Sequence, residues 1–136
     1  MAGNSEPHRR VVAVVDDQPF IAKLIEVNLA KDPLDLVYYR DPLEALARLT
    51  VSPVDLLIVD IRMPQISGLE FCQRVRAMPA VAGVPIIILT AQGETATEAE
   101  CVRAGATAFM TKPFSPKGLS SKVRELLEAA PGGVAP

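Results

Sequence analysis

The chain has no tryptophan, a single histidine and two cysteines among its 136 residues. With only His8, imidazole chemistry has little material, and the lack of tryptophan removes the commonest aromatic anchor of recognition surfaces. Cys72 and Cys101 form no CxxC and show no metal-ligand spacing, so they are read as reduced core or helix residues of a cytoplasmic protein. No apolar run approaches the roughly 20 residues of a membrane span. Residues 1–7 lack the apolar centre of a signal peptide. An excess of either charge is also missing. Fourteen Lys and Arg stand against sixteen Asp and Glu, and a net charge of −2 gives no general pull toward nucleic acid or an anionic membrane. His8-Arg9-Arg10 is the one basic cluster near an end and is read as a solvated lead-in to a strand.

What is present is apolar and regular. A hydrophobic share of 49% with 22% charged residues, in a chain of this length, predicts one globular domain. Residues 1–10 are expected to be a flexible tail and 11–130 the domain. The Pro/Gly-rich residues 131–136 are expected to be a flexible end or the start of a linker.

The most informative stretch is Leu56-Leu57-Ile58-Val59-Asp60-Ile61-Arg62-Met63-Pro64. Four apolar residues running into a carboxylate read as a strand buried on both faces, with Asp60 at its carboxyl end. Chemistry in open α/β sheets collects at those ends. Four further strands fit around it: Val11 to Val15, Leu34 to Tyr39, Ile86 to Leu89, and Ala106 to Met110, with the central one running Val54 to Asp60. Helices are predicted between them. The first runs from Pro19 to about Lys31 and the second from Pro42 to Leu49. The third runs from Gly68 to Ala77, the fourth from Thr95 to Ala104 and the fifth from Ser115-Pro116 to about Ala129. Asp41-Pro42 and Ser115-Pro116 read as an N-cap followed by proline, and Gly105 as a helix stop. Five strands alternating with five helices predict a parallel sheet covered on both faces.

The polar residues that follow these strands then converge on one edge. They are Asp16 and Asp17, Asp60, Thr90 and Lys112. Singly, each has a bland reading as a cap, a turn residue or a solvated charge; jointly, at the ends of four strands, they form a pattern. Three carboxylates held together resist ionisation unless a cation joins them, and oxygen ligands favour Mg²⁺ over zinc. A lysine and a hydroxyl beside them suit an incoming phosphoryl group, and a carboxylate there can itself be the nucleophile.

This pattern resembles the receiver domain of two-component response regulators, the class typified by the single-domain chemotaxis regulator. The residues that carry the resemblance are Asp16-Asp17, Asp60 with Met63-Pro64 and Gly68, Thr90-Ala91, Gly105-Ala106, and Phe109 with Lys112-Pro113-Phe114. The resemblance implies a flavodoxin-like (βα)5 three-layer sandwich with strand order 2-1-3-4-5. It implies Asp60 as phosphoacceptor for a sensor histidine kinase or phosphotransfer protein. It implies Mg²⁺ held by Asp17, Asp60 and the backbone carbonyl of Arg62, with Asp16 acting through water. It also implies a cis Lys112–Pro113 peptide. Thr90 and Phe109 are expected to report phosphorylation. Arg62 and Gln92, two positions after Asp60 and Thr90, are expected to tune its loss, with Arg62 covering the phosphoryl group or pointing into solvent.

The output is expected through the face of the fourth helix, fifth strand and fifth helix, to an unknown partner, as a monomer or weak dimer. An ion-paired dimer of the kind found in winged-helix regulators is not expected, because the acid position before the aromatic is Ala108, although Lys122 could supply the base. Ser67, where the family often has an acid, and Thr107-Ala108, where receivers joined to winged-helix domains often have Asp-Asp, are departures that touch the output more than the chemistry. No direct contact with nucleic acid or membrane is expected, and no enzymatic activity beyond the chain's own phosphorylation and dephosphorylation. Two alternatives fit less well. A haloacid-dehalogenase-type phosphatase wants an acid where Arg62 stands, and a flavodoxin wants a hydroxyl- and glycine-rich loop where Asp16-Asp17-Gln18-Pro19 stands.

Overall fold

A computed structural model of the chain describes residues 9–91 and 93–129. Its elements alternate without exception: β1 (Arg10–Val15), α1 (Pro19–Asn28), β2 (Leu34–Tyr39), α2 (Pro42–Leu49), β3 (Leu56–Asp60), α3 (Gly68–Arg76), β4 (Ile86–Ala91), α4 (Glu98–Ala104), β5 (Ala108–Lys112) and α5 (Pro116–Ala129). The strands form one sheet in the order β2-β1-β3-β4-β5, and every pairing is parallel. This is the flavodoxin-like arrangement expected.

The central strands are uniformly apolar because alternate residues enter two different cores. Ala13, Val15, Leu57, Val59, Ile86 and Ile88 pack with α2, α3 and α4, chiefly against Leu49, Phe71, Val75 and Cys101. Val12, Val14, Leu56, Ile58, Ile87 and Leu89 pack with α1 and α5, against Ile21, Ile25, Leu119, Val123 and Leu127. Both cysteines are buried on the first of these faces.

Local chemistry sets the ends. The Asp41 carboxylate accepts from the Leu43 and Glu44 amides, and Ser67 accepts from Glu70 N–H. Thr97 and Glu100 form a reciprocal capping box, which starts α4 at Glu98 rather than at Thr95. Gly105 closes the same helix in the left-handed region at φ 113. Ser115 Oγ accepts from Gly118 N–H at 2.9 Å, so Gly118 lies inside α5 and helps to cap it.

Other boundaries differ from the sequence reading: β1 begins one residue early, at Arg10, and α3 ends one residue early, at Arg76. α1 ends at Asn28, not near Lys31, because the chain turns at Leu29, whose side chain is drawn into the core, and Asp32 N–H bonds back to Leu29 O. β3 begins at Leu56 because the Asp55 carboxylate takes the Val11 amide at 2.7 Å instead of extending the strand. β5 starts two residues late, at Ala108. Ala106 N–H closes α4 on Cys101 O, and Thr107 is spent on Ile86, its amide donating to the Ile86 carbonyl and its Oγ1 accepting from the Ile86 amide. The shift carries β5 on to Lys112, opposite Ala91 of the correspondingly longer β4.

Arg76, at the end of α3, binds the edge of the sheet opposite the carboxyl ends. Its guanidinium donates to the carbonyls of Gly105, Ala82 and Val84. No acid is needed: five N–H donors saturate helix and loop carbonyls left without partners.

Candidate functional site

The parallel register delivers the carboxyl ends of β1, β3, β4 and β5 to one edge, and the polar residues gather there. Asp16 is fully buried, and Asp60 and Thr90 are 6% and 4% exposed. Ligand oxygens of Asp16, Asp17 and Asp60 lie within 4.8 Å of one another. Lys112 Nζ stands 3.1 Å from Asp60 Oδ1 and 3.7 Å from Asp16 Oδ2. Thus Asp16, Asp17, Asp60, Thr90 and Lys112 are brought together. Thr90 and Lys112, however, sit within strands rather than in the loops that follow.

The electrostatics are those of crowded anions. Burial pushes the Asp16 carboxyl up to about 6; the Gln18 amide and Lys112 oppose the shift, and the Asp60 and Asp17 charges add to it. Burial also raises Asp60, against the pull of Lys112 and the Arg62 amide, with Asp17 adding to the rise. Asp16 Oδ1 accepts from Gln18 N–H at 2.8 Å, while its buried Oδ2 finds no hydrogen-bond partner among the described residues. Lys112 lies too far from that oxygen for a hydrogen bond, though near enough to attract it. An orphaned carboxylate oxygen inside a triad of acids fits a small oxygen-seeking cation, and an all-oxygen donor set matches Mg²⁺.

Close packing fixes the start of α3 under Asp60. Gly68 N–H donates to Ile61 O at 2.8 Å. A Cβ at Gly68 would lie 2.5 Å from the Asp60 carbonyl oxygen and 2.8 Å from Ile61 Cα, both backbone atoms that cannot rotate aside. Gly68→Ala is therefore expected to lower the unfolding free energy by about 1–3 kcal/mol. Urea titrations of the two proteins would show it, and an unchanged midpoint would mean that helix and site separate freely.

The remaining predicted residues are placed as follows. The Arg62 side chain is 70% exposed and is tethered at its tip: Nε donates to Glu94 Oε1 at 2.6 Å and Nη2 to Oε2 at 3.4 Å. Gln92 lies outside the described residues. Thr90 Oγ1 is turned toward β5, 3.4 Å from Met110 O and 3.5 Å from Thr111 Oγ1. Phe109 is half-buried against the α2–α3–α4 core. The Lys112–Pro113 peptide is cis. Lys122 pairs within α5, with Glu125 at 3.3 Å.

Sequence reasoning missed two contributors. The Tyr38 hydroxyl donates to Asp16 O at 2.8 Å, tying β2 to the site. The tyrosine pair that ends β2 was the available signal. Glu94 gave none, because its partner is 32 residues away. A cleft of about 880 Å³ opens beside the triad between the β3–α3 and β4–α4 loops, lined in part by Asp17, Arg62, Met63, Glu94 and Ala96.

Comparison with known proteins agrees with this geometry. The response regulator receiver domain family matches residues 12–124. The alkaline phosphatase synthesis transcriptional regulatory protein PhoP of Bacillus subtilis (strain 168) is 33% identical over 116 residues, which is 85% of this chain and 48% of the relative. The cyclic di-GMP phosphodiesterase response regulator RpfG of Xanthomonas campestris pv. campestris (strain 8004) is 34% identical over 120 residues, 86% of this chain and 32% of that protein. The chain thus spans half or less of the length of these curated relatives. Among solved structures, the chemotaxis response regulator CheY4 of Vibrio cholerae superposes with a TM-score of 0.79 at 29% identity, covering 88% of this chain and 99% of that one. Strand order, acidic edge and family match coincide over the same residues: the chain belongs to the response regulator receiver domain family.

Proposed function

We propose that residues 11–130 form a receiver that accepts a phosphoryl group on Asp60, with Mg²⁺, from a sensor histidine kinase, a phosphotransfer protein or a small phosphodonor. The observation that carries this reading is the pairing of Lys112 with Asp60 at 3.1 Å inside a triad of acids with one orphaned oxygen. Asp17, Asp60 and the Arg62 backbone carbonyl would hold the cation, and Asp16 would act on it through water. Bound there, Mg²⁺ supplies positive charge to the phosphoryl oxygens. Lys112 aligns and neutralises the Asp60 carboxylate. An oxygen of Asp60 attacks phosphorus, and the bond from phosphorus to the donor's nitrogen or oxygen breaks, its electron pair leaving with the donor. Beyond this transfer to and from the chain's own carboxylate, the reading invokes no turnover of a separate substrate.

The Thr90 hydroxyl would leave the Met110 carbonyl, a long contact at 3.4 Å, for a phosphoryl oxygen. Phe109, half-buried on β5 two residues before Thr111, the register partner of Thr90, would follow it inward. That path leads to the α4–β5–α5 face as the output surface. With Ala108 uncharged and Lys122 already paired to Glu125 on its own helix, the face suits an apolar partner or a weak dimer better than an ion-paired one. No helix among the described residues is long and apolar enough to cross a membrane, and the reading invokes neither membrane nor direct nucleic-acid contact. We place the protein in the cytoplasm, where its kinase partners would reach it.

The test is incubation with labelled acetyl phosphate or phosphoramidate, with Mg²⁺ or with a chelator. Mg²⁺-dependent label that survives acid and is released by base and hydroxylamine is expected. Label resistant to hydroxylamine would rule out an acyl phosphate.

A further inference from the structure

The Arg62–Glu94 pair joins the two loops that border the cleft, one following β3 and the other following β4. Its two ends are unlike. Glu94 is held: its side chain is 9% exposed, it takes two donors from Arg62, and its own amide donates to Ala91 O at 3.0 Å. The neighbouring guanidinium keeps its carboxyl below the usual range, so it stays charged. Arg62 is loose: its side chain is 70% exposed, and it is rooted two residues from Asp60.

We propose that Glu94 is a positioning residue that sets how long phosphate stays on Asp60. It does so by holding Arg62 away from the phosphorus until the acyl phosphate competes for the guanidinium. This rests on Asp60 being the phosphoacceptor. A phosphoryl group presents more charge and more acceptor oxygens than one carboxylate, and both fit the same planar fork of donors. Hydrolysis requires a water to attack phosphorus. The P–O bond to Asp60 breaks, the carboxylate is regained, and inorganic phosphate leaves while a proton passes to solvent. With Arg62 on Glu94, the face of phosphorus toward the cleft is open to that water. With Arg62 on the phosphoryl oxygens, the guanidinium occupies that approach, and the loop carrying Glu94 is released from β3. The pair thus offers one arginine to two anions, and the lifetime follows from how the arginine divides between them.

The test follows phosphate loss after donor removal, with Mg²⁺, in wild type, Glu94→Gln, Arg62→Ala and the double variant. Glu94→Gln is expected to lengthen the half-life roughly two- to fivefold, the scale of a partly exposed pair. Arg62→Ala is expected to shorten it, and the double variant to match Arg62→Ala alone. A Glu94→Gln half-life equal to wild type, or a lengthening that persists without Arg62, would overturn the proposal, since a general structural role would not vanish with the arginine. Amide exchange adds a readout that needs no phosphate: in the unphosphorylated chain, the Glu94 amide, which donates to Ala91 O, should exchange faster in Arg62→Ala, and an unchanged rate would show that Arg62 does not hold the loop. Absence of label in the wild type would instead refute the assignment of Asp60 and leave the exchange result to judge the pair.

Discussion

The Asp60→Asn chain is expected to take up no phosphate under conditions that label the wild type, a loss of at least about 100-fold in yield. Asparagine has the shape of aspartate but neither its negative charge nor a nucleophilic oxygen. The fold should survive. Asp60 contributes no packing that Asn cannot, and its removal relieves repulsion with Asp16 and Asp17 while leaving Lys112 beside Asp16. The variant should therefore unfold at no lower urea concentration than the wild type, which separates loss of chemistry from loss of structure. Wild-type labelling of Asp60→Asn, mapped by peptide mass to another residue, would move the acceptor elsewhere.

A second large effect is expected in stability. The Asp16 carboxyl ionises at about 6 in the fold against 3.8 for the unconstrained group, so the folded state holds its proton more tightly than the unfolded one. Stability from this group is full below the unfolded value and is lost as pH rises through the folded value. The shift corresponds to at most about 3 kcal/mol, and screening by the open cleft trims it to about 2 kcal/mol. Asp60 is raised in the same direction. In chelator, Asp16→Asn should therefore match the wild type near pH 4 and exceed it by about 2 kcal/mol at pH 8. Comparing the two proteins cancels the titration of carboxylates outside the triad, while Asp60 and Asp17, which are coupled to Asp16, shift with it. Millimolar Mg²⁺ should restore the wild type at pH 8 and do little near pH 4, because protons and cation compete for the same oxygens. A stability difference that stays flat between pH 4 and pH 8 would show that Asp16 is not strained by its surroundings.

Most of the fold was legible because its signals are local. Apolar runs ending in Asp16, Asp60 and Thr90, the Asp41-Pro42 and Ser115-Pro116 starts and the Gly105 stop each act within a few residues. The site was legible for the same reason: each chemical residue lies at the end of its own strand, and parallel pairing gathers them whatever the intervening helices do. What escaped was long-range. Ending β5 at Lys112 depends on Thr107 being spent on Ile86 across the sheet. The bonds from Arg62 to Glu94 and from Arg76 to three carbonyls join residues whose neighbourhoods give no hint of one another, and the tyrosine pair that ends β2 marked Tyr38 without naming Asp16 as its partner. Arg62 was singled out in the sequence and its partner was not, because a long cation after a strand can reach many acids and only packing selects one.

The two faces of the sheet are completed at different moments of synthesis. The core under α2, α3 and α4 draws its helical contributions from the middle of the chain, so it can close once the β4 and α4 residues have left the ribosome. The opposite core needs both ends of the domain, since Ile21 and Ile25 of α1 meet Leu119, Val123 and Leu127 of α5 only when α5 emerges. Until then Val12, Val14, Ile58 and Ile87 present half of an apolar layer to water, beside a β4 edge that β5 has not yet covered. The domain is therefore most adhesive just before α5 emerges, and the time taken to deliver α5 governs how long that surface is available to chaperones or to other nascent chains.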